Sequence, residues 1–296
     1  MSSGQISSAS EPWLLLPFIY TLKPSGVITE YGHRLSVAAI EDFYKELPHG
    51  KEDYVNSLKK FVMELYHKRA NQEYAYFLDK TPRYHLICKE IINFFPEGKF
   101  IFLMRNPLAV AASIINSLYR GKWKLATCYI DLYDGLLNLL NTFSANEAIA
   151  HKILYENLVQ DPQSEIKKMC DYLDISYTEQ MITGFKNVQF SGRMGDKVGI
   201  QKYTIINNGA KDEWIKTFNN PFRRLWASRY LEWIGAAKLN SMGFDHLELK
   251  SALYRDKSVN FYSLFYDLLL MMVLKIRISR SPLRVHHNKP IKHLYV

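Results

Sequence analysis

A chain of 296 residues that is 48% hydrophobic and 23% charged has the composition of an ordinary globular protein and the length to bury a substantial core. Its net charge of +9 is unevenly placed, with six Lys or Arg and no acid from Lys275 to Val296, so the body is close to neutral. That speaks against a nucleic-acid-coating surface and for one local anionic partner. The opening residues lack the basic-then-apolar order of a secretion signal, and no apolar run is long enough for a membrane span. Cys88, Cys128 and Cys170 have no metal-binding or redox spacing, so they are expected as buried, reduced thiols. Neither a metal nor a nucleic acid is expected, and the location expected is cytoplasmic.

In chain order, VNSLKKFVMELYHKRA has helical periodicity, and YAYFL at 74–78 reads as a buried strand. A helical stretch from Tyr84 to Phe95 follows, then the strand KFIFLM at 99–104. TCYIDLYDGLLNLLNTF predicts a further helix, HKILY at 151–155 a third strand, and DPQSEIKKMCDYL a helix opened by Asp161 and Pro162. After about residue 185 the sequence is loop-like, and helices resume at KDEWIKTF and FRRLWASRYLEWIGAAKL. Strands separated by crossover-length segments predict an α/β fold with a mainly parallel sheet flanked by helices. We divide the chain into a domain over 1–250 and, over 251–296, an apolar helix with a basic tail. That last helix, FYSLFYDLLLMMVLKIRI, is interrupted by Asp267. It reads either as a helix packed on the domain or as one resting on an anionic membrane.

FLMRNPLAVAAS is the most informative stretch. Asn106 is a helix cap, Pro107 suits the first turn, and Arg105 is delivered at the carboxyl end of a strand, where open α/β sheets bind ligands. Ser113 lies seven residues past the cap, about two turns on, and so on the same side of the helix. An Arg fork and a hydroxyl near a helix start make a phosphate site; the plainer alternative is a surface Arg and a Ser tucked into a helix. No GxxxxGK[ST] is present, which disfavours a P-loop kinase.

The spacing R-N-P-(x)5-S after a strand resembles the segment of sulfotransferases that holds the 3′-phosphate of 3′-phosphoadenylyl sulfate (PAPS). Other pieces fall in that family's order: FLDKTPRY with Asp79, Lys80, Thr81 and Pro82, then LYENLVQDP, then GDKVGIQKY followed by KDEWIKTF. The resemblance runs from about Ser7 to Phe244 and is nearest to bacterial carbohydrate-type enzymes and tyrosylprotein sulfotransferases. It implies a P-loop-NTPase-like α/β fold and transfer of a sulfuryl group from PAPS to a hydroxyl, of a carbohydrate or glycolipid. It also implies Arg105 and Ser113 as 3′-phosphate ligands, Tyr155 as an adenosine-side contact and Lys202 as a further cofactor ligand. One departure is Ser117, where tyrosylprotein sulfotransferases have an Arg four residues after the phosphate-binding Ser.

The resemblance assigns Glu11, in SASEPWLLLP, the place of the catalytic base. A carboxylate beside Trp13 and Leu14–Leu16 is expected to be partly desolvated, with its proton affinity raised; the plainer reading is a cap for a helix starting near Pro12. Lys80 at a strand end is the candidate cation for the charge that develops on the sulfuryl and bridging oxygens. The family's 5′-phosphosulfate loop should lie just before Met1, which makes MSSGQISSASEP the end of the first helix and the segment after it. The alternative to an active enzyme is therefore an inactive, truncated relative that binds 3′-phosphoadenosine 5′-phosphate (PAP) or associates with a membrane.

Overall fold

The computed structural model describes residues 2–70, 74–184, 194–195, 212–256 and 258–279. The chain forms two compact units, one of Met1–Phe100, Asn146–His151 and Asp161–Ile206, the other of Ile101–Ala145, Lys152–Gln160 and Asn207–Val296. The chain is mixed α/β, and among the described residues its strands form two pairs.

In the first unit, β1 (Ile6–Ser8) lies parallel to β2 (Tyr76–Leu78), with Ile6 opposite Tyr76 and Ser8 opposite Leu78. This corrects the expectation of a helix end in MSSGQISSASEP. Gly4, at φ 68°, takes a left-handed conformation that no right-handed helix continues through. Ser7 and Ser8 are buried, and the Ser8 hydroxyl donates to the Leu78 carbonyl at 2.8 Å. Buried polar atoms are thus satisfied by the neighbouring strand. Helices α1 (Leu15–Tyr20), α2 (His33–Lys45) and α3 (Lys51–Ala70) follow. The α3 helix opens on Glu52 and Asp53 and closes on His67, Lys68 and Arg69, the arrangement the helix dipole favours. Leu15, Ile19, Val62, Ile87, Phe94 and Phe95 form the core cluster.

The helix expected from Tyr84 to Phe95 is broken into a 3-10 turn, Pro82–Leu86, and α4, Cys88–Phe94. Between them Ile87 adopts φ −136°, ψ 17°, and its side chain is fully buried. Packing of that one residue outweighs helical continuity. The unit is completed by α8 (Pro162–Leu173), where Asp161 accepts from the Ser164 amide at 3.1 Å, and α9 (Gln180–Thr183).

Strands β3 (Phe100–Met104) and β4 (Ala150–Leu154), which belong to the second unit from Ile101 and from Lys152 on, are hydrogen-bonded neighbours. The α5 helix (Pro107–Ser113) passes directly into a π-helical turn, Ile114–Leu118. The helix expected over 127–143 is three pieces: a 3-10 turn at Leu125–Cys128, a π-helical segment at Ile130–Gly135, and α6, Leu136–Ser144. Its widened turn carries Tyr133, whose ring packs on Tyr129 at 4.8 Å and on Trp233 at 4.6 Å. After α7 (Tyr155–Gln160), the C-terminal helices are α10 (Glu213–Thr217), α11 (Pro221–Ile234), α12 (Ala236–Met242), α13 (His246–Leu253) and α14 (Phe261–Ser279). The run FRRLWASRYLEWIGAAKL is divided at Gly235, whose φ of 83° separates α11 from α12. Of the cysteines, Cys128 and Cys170 are buried and Cys88 half-buried, and none of the three is in a disulfide.

Asp267, the charge inside the apolar C-terminal run, has 0% exposure. Its carboxylate accepts from Arg223 Nε at 2.6 Å and Nη2 at 3.0 Å, and from the Asn220 side chain at 3.0 Å. Arg223 also donates to the carbonyls of Thr217 and Gly121, each at 2.9 Å. This network docks α14 on α11 inside the unit. Removing one member of a buried ion pair leaves an uncompensated charge, at a cost of about 3–5 kcal/mol. Asp267→Ala is therefore expected to destabilise the second unit by about that amount, with the double change Arg223→Met, Asp267→Leu recovering most of it. Urea unfolding followed by tryptophan fluorescence measures this, since Trp123, Trp214, Trp226 and Trp233 all lie in that unit.

Candidate active site

Four of the sequence-predicted residues come together in two pairs, each within one unit. The first pair forms where β1 and β2 end side by side. Glu11 follows β1 and Lys80 follows β2, so parallel pairing of the strands delivers both to the same edge. Lys80 Nζ lies 3.0 Å from Glu11 Oε1, across 69 residues of sequence. The Glu11 side chain is 11% exposed and that of Lys80 63%. The other carboxylate oxygen, Oε2, accepts from the Trp13 indole at 3.3 Å. Glu11 is not a helix cap: α1 begins at Leu15 with Leu14 at its N-cap and no side-chain capping bond.

Asp79 holds this arrangement in place. Its carboxylate accepts hydrogen bonds from the Tyr66 hydroxyl, from Tyr84 at 2.8 Å and from Thr81 at 3.1 Å. Two of those oxygens in turn accept backbone amides of the segment after Glu11: Trp13 N to Thr81 at 3.2 Å, and Leu15 N to Tyr84 at 3.1 Å. Trp13 has φ 57°, a left-handed conformation that costs a bulky residue about 1–3 kcal/mol and survives only where surroundings impose it. Here the amide and indole of Trp13 are both tied down. Burial pushes the Asp79 carboxyl above its ordinary value, against the three hydroxyl donors that favour the charged form. The same burial, with the Asp79 charge alongside, pushes the Tyr66 and Tyr84 hydroxyls up. Asp79, Thr81 and Pro82 are visible in the sequence as a motif, but no sequence signal couples them to Tyr66, Tyr84, Trp13 and Leu15.

The second pair lies where β3 and β4 end. Arg105 follows β3, and Tyr155 is the first residue of α7, directly after β4. The Arg105 guanidinium stands 4.3 Å from the centroid of the Tyr155 ring, a cation–π contact. Asn106 caps α5, accepting from Leu108 N at 2.9 Å and Ala109 N at 3.3 Å. Its own amide donates to Glu156 Oε1 at 3.0 Å, which joins the two strand ends. Glu156 was missed as a positioning group, since only its place beside Tyr155 marks it. Arg105 Nε is buried and has no hydrogen-bond partner among the described residues. An unpaired buried donor of a cation is costly unless an acceptor reaches it, which suits an anionic ligand.

Ser113 is the last residue of α5. The backbone is α-helical over the seven residues from Pro107, so Ser113 returns to the angular position of Asn106, two turns on. It abuts the π-helical turn that contains Ser117, which is exposed; such turns recur at functional sites. Lys202 and most of GDKVGIQKY lie outside the described residues.

Asp79→Ala strands three hydroxyl donors and is expected to lower the stability of the first unit by about 3 kcal/mol, and Tyr84→Phe by about 1–2 kcal/mol, measured by urea unfolding. A carboxyl whose folded-state value is raised contributes fully below about pH 4 and loses that contribution as pH rises through the raised value. Asp79→Asn is therefore expected to flatten the decline of stability as pH rises from about 4 through that raised value.

The model for the Sulfotransferase family matches residues 1–179. A putative protein-tyrosine sulfotransferase of Caenorhabditis briggsae is 25% identical over 181 residues, covering 57% of this chain and 62% of that protein. The omega-hydroxy-beta-dihydromenaquinone-9 sulfotransferase of Mycobacterium tuberculosis is 24% identical over 148 residues, 45% of this chain and 37% of its own length. The nodulation protein NoeE of Sinorhizobium fredii is 22% identical over 268 residues, covering 81% of this chain and 60% of that protein. The chain thus spans less than two thirds of the length of each of these relatives. With the family model matching more than half of its residues, the chain belongs to the sulfotransferase family.

Proposed function

We propose that this protein moves a sulfuryl group from PAPS to a hydroxyl of an acceptor, a carbohydrate or glycolipid. The observation that carries the reading is the Glu11–Lys80 pair, a nearly buried carboxylate held against a largely exposed cation. The acceptor oxygen attacks sulfur in line and forms the new S–O bond as the bond from sulfur to the 5′-phosphate oxygen breaks. PAP leaves with the electron pair, and the acceptor proton passes to Glu11. Charge grows on the sulfuryl and bridging oxygens, where positioning and cationic stabilisation dominate the rate. Lys80, on a flexible and largely exposed stem, can exchange its Glu11 contact for those oxygens, which also frees the carboxylate to accept a proton.

Arg105 and Ser113 hold the 3′-phosphate in this reading, with Tyr155 on the adenosine side. The unpartnered Nε of Arg105 supports the assignment, because it is a donor still in need of an acceptor. For the acceptor, the resemblance to carbohydrate-type enzymes is the guide, and the hydroxyl is the common element. The relatives are named as acting on protein tyrosine and on a hydroxylated menaquinone. A panel of oligosaccharides, tyrosine peptides and hydroxylated quinones ranks the acceptors directly.

Loss of a charge-assisted bond costs about 1.5–3 kcal/mol. Arg105→Ala is accordingly expected to weaken PAP binding by at least about tenfold, and to erase the preference for PAP over adenosine 5′-phosphate in calorimetry. A mutant that keeps the full preference for PAP overturns the phosphate assignment.

In turnover assays with PAPS and an accepted hydroxyl, Glu11→Gln is expected to cut the rate by about 10²–10⁴-fold while PAP affinity stays within about twofold. A base acts on the acceptor and not on the donor. Near-full turnover in this variant removes Glu11 from the chemistry.

A further inference from the structure

Helix α14 presents an apolar stripe to solvent. Phe261, Tyr262, Phe265, Leu268 and Leu269 are all exposed, Tyr262 at 81%. Their spacing of i, i+1, i+4, i+7 and i+8 places them along one face of the helix. Asp267 sits on the opposite face, fully buried against Arg223 and Asn220. The buried ion pair therefore fixes the helix rotation and keeps the stripe outward. A contiguous exposed patch of large aromatic and aliphatic side chains is rare unless it meets a partner.

Charge decides which partner. After Asp267 the sequence holds no acid, and Lys275, Arg277, Arg280, Arg284, Lys289 and Lys292 follow within the 22 residues from Lys275 to Val296. No helix among the described residues is long and apolar enough to cross a membrane. An apolar stripe rich in Phe and Tyr, continued by an acid-free basic segment, matches a surface that is apolar just below a layer of negative charge. We infer that α14 lies in the plane of an anionic lipid surface, its aromatic stripe set into the headgroup–acyl boundary, an attraction that the positive charge of the sequence after it strengthens. The second unit, docked on α14 through Arg223 and Asp267, is held at that surface. This inference stands independently of which acceptor is sulfated.

The test is sedimentation of the full chain with vesicles of phosphatidylcholine alone and of phosphatidylcholine with phosphatidylglycerol, at low and high salt. Pelleting with the anionic vesicles that weakens at high salt is expected. Removing charge by Lys275→Gln or Arg277→Gln is expected to lower the partition coefficient by about fivefold for each residue. The double change Tyr262→Gln, Phe265→Gln is expected to lower it by at least about tenfold. Both positions are exposed, so circular dichroism and the urea midpoint should not move. Recovery of the wild type in the supernatant with anionic vesicles overturns the inference. So does unaltered binding of the Tyr262, Phe265 variant. A wild-type dimer in sedimentation velocity that this variant turns into a monomer also overturns it, since the stripe would then be covered by a second copy.

Discussion

A buried carboxylate has to be satisfied, and at Asp79 that requirement organises everything near the candidate chemistry. Three hydroxyls converge on it, and two of them pass the constraint on to the backbone amides of Trp13 and Leu15. The segment carrying Glu11 is thereby fastened to the turn carrying Lys80 by backbone bonds that add to the contacts Glu11 itself makes with Lys80 and Trp13. The left-handed Trp13 is tolerable only inside that network. Placement of a base to within hydrogen-bonding reach of a reacting oxygen needs this kind of outer support, because rotamer freedom in a long carboxylate is otherwise too large.

The second constellation uses a different device. There the helix start is organised by Asn106, which satisfies two amides of α5 with its side chain while its own amide is satisfied by Glu156. Arg105 is left with its guanidinium 4.3 Å from the Tyr155 ring centroid and its Nε without a hydrogen-bond partner among the described residues. The two clusters thus differ: Arg105 Nε has no hydrogen-bond partner among the described residues, whereas both carboxylate oxygens of Glu11 are hydrogen-bonded.

Much of this was legible in advance, and the divisions are physical. Strands β2, β3 and β4 announce themselves as apolar runs bounded by turn residues, and the Asn106–Pro107 start of α5 follows from local capping chemistry. Arg105 and Ser113 could be placed because their relation is helical and short in sequence. β1 was missed because Ile6–Ser8 has only one apolar residue; its burial goes with the Ser8 hydroxyl, which finds a strand carbonyl 70 residues away. The breaks at Ile87 and in the 127–143 segment were hidden because periodicity cannot distinguish an α turn from a 3-10 or π turn that seats one side chain better. The partners of Asp79 were unreadable for a simpler reason. Tyr66, Tyr84 and the Trp13–Leu15 segment belong to three separate stretches of the chain, and only the fold brings them to one point.

The parallel pairing of Ile6 with Tyr76 has a consequence for the order in which the molecule matures. A parallel partner cannot be reached by a tight turn, so the first strand waits for α1, α2 and α3 to be made and for β2 to emerge. Closing so long a loop is entropically slow and is repaid by only three residue pairs. Those helices can acquire much of their structure before β1 docks. Glu11 and Lys80, which follow those two strands, are therefore brought within reach of one another only once β1 has docked on β2.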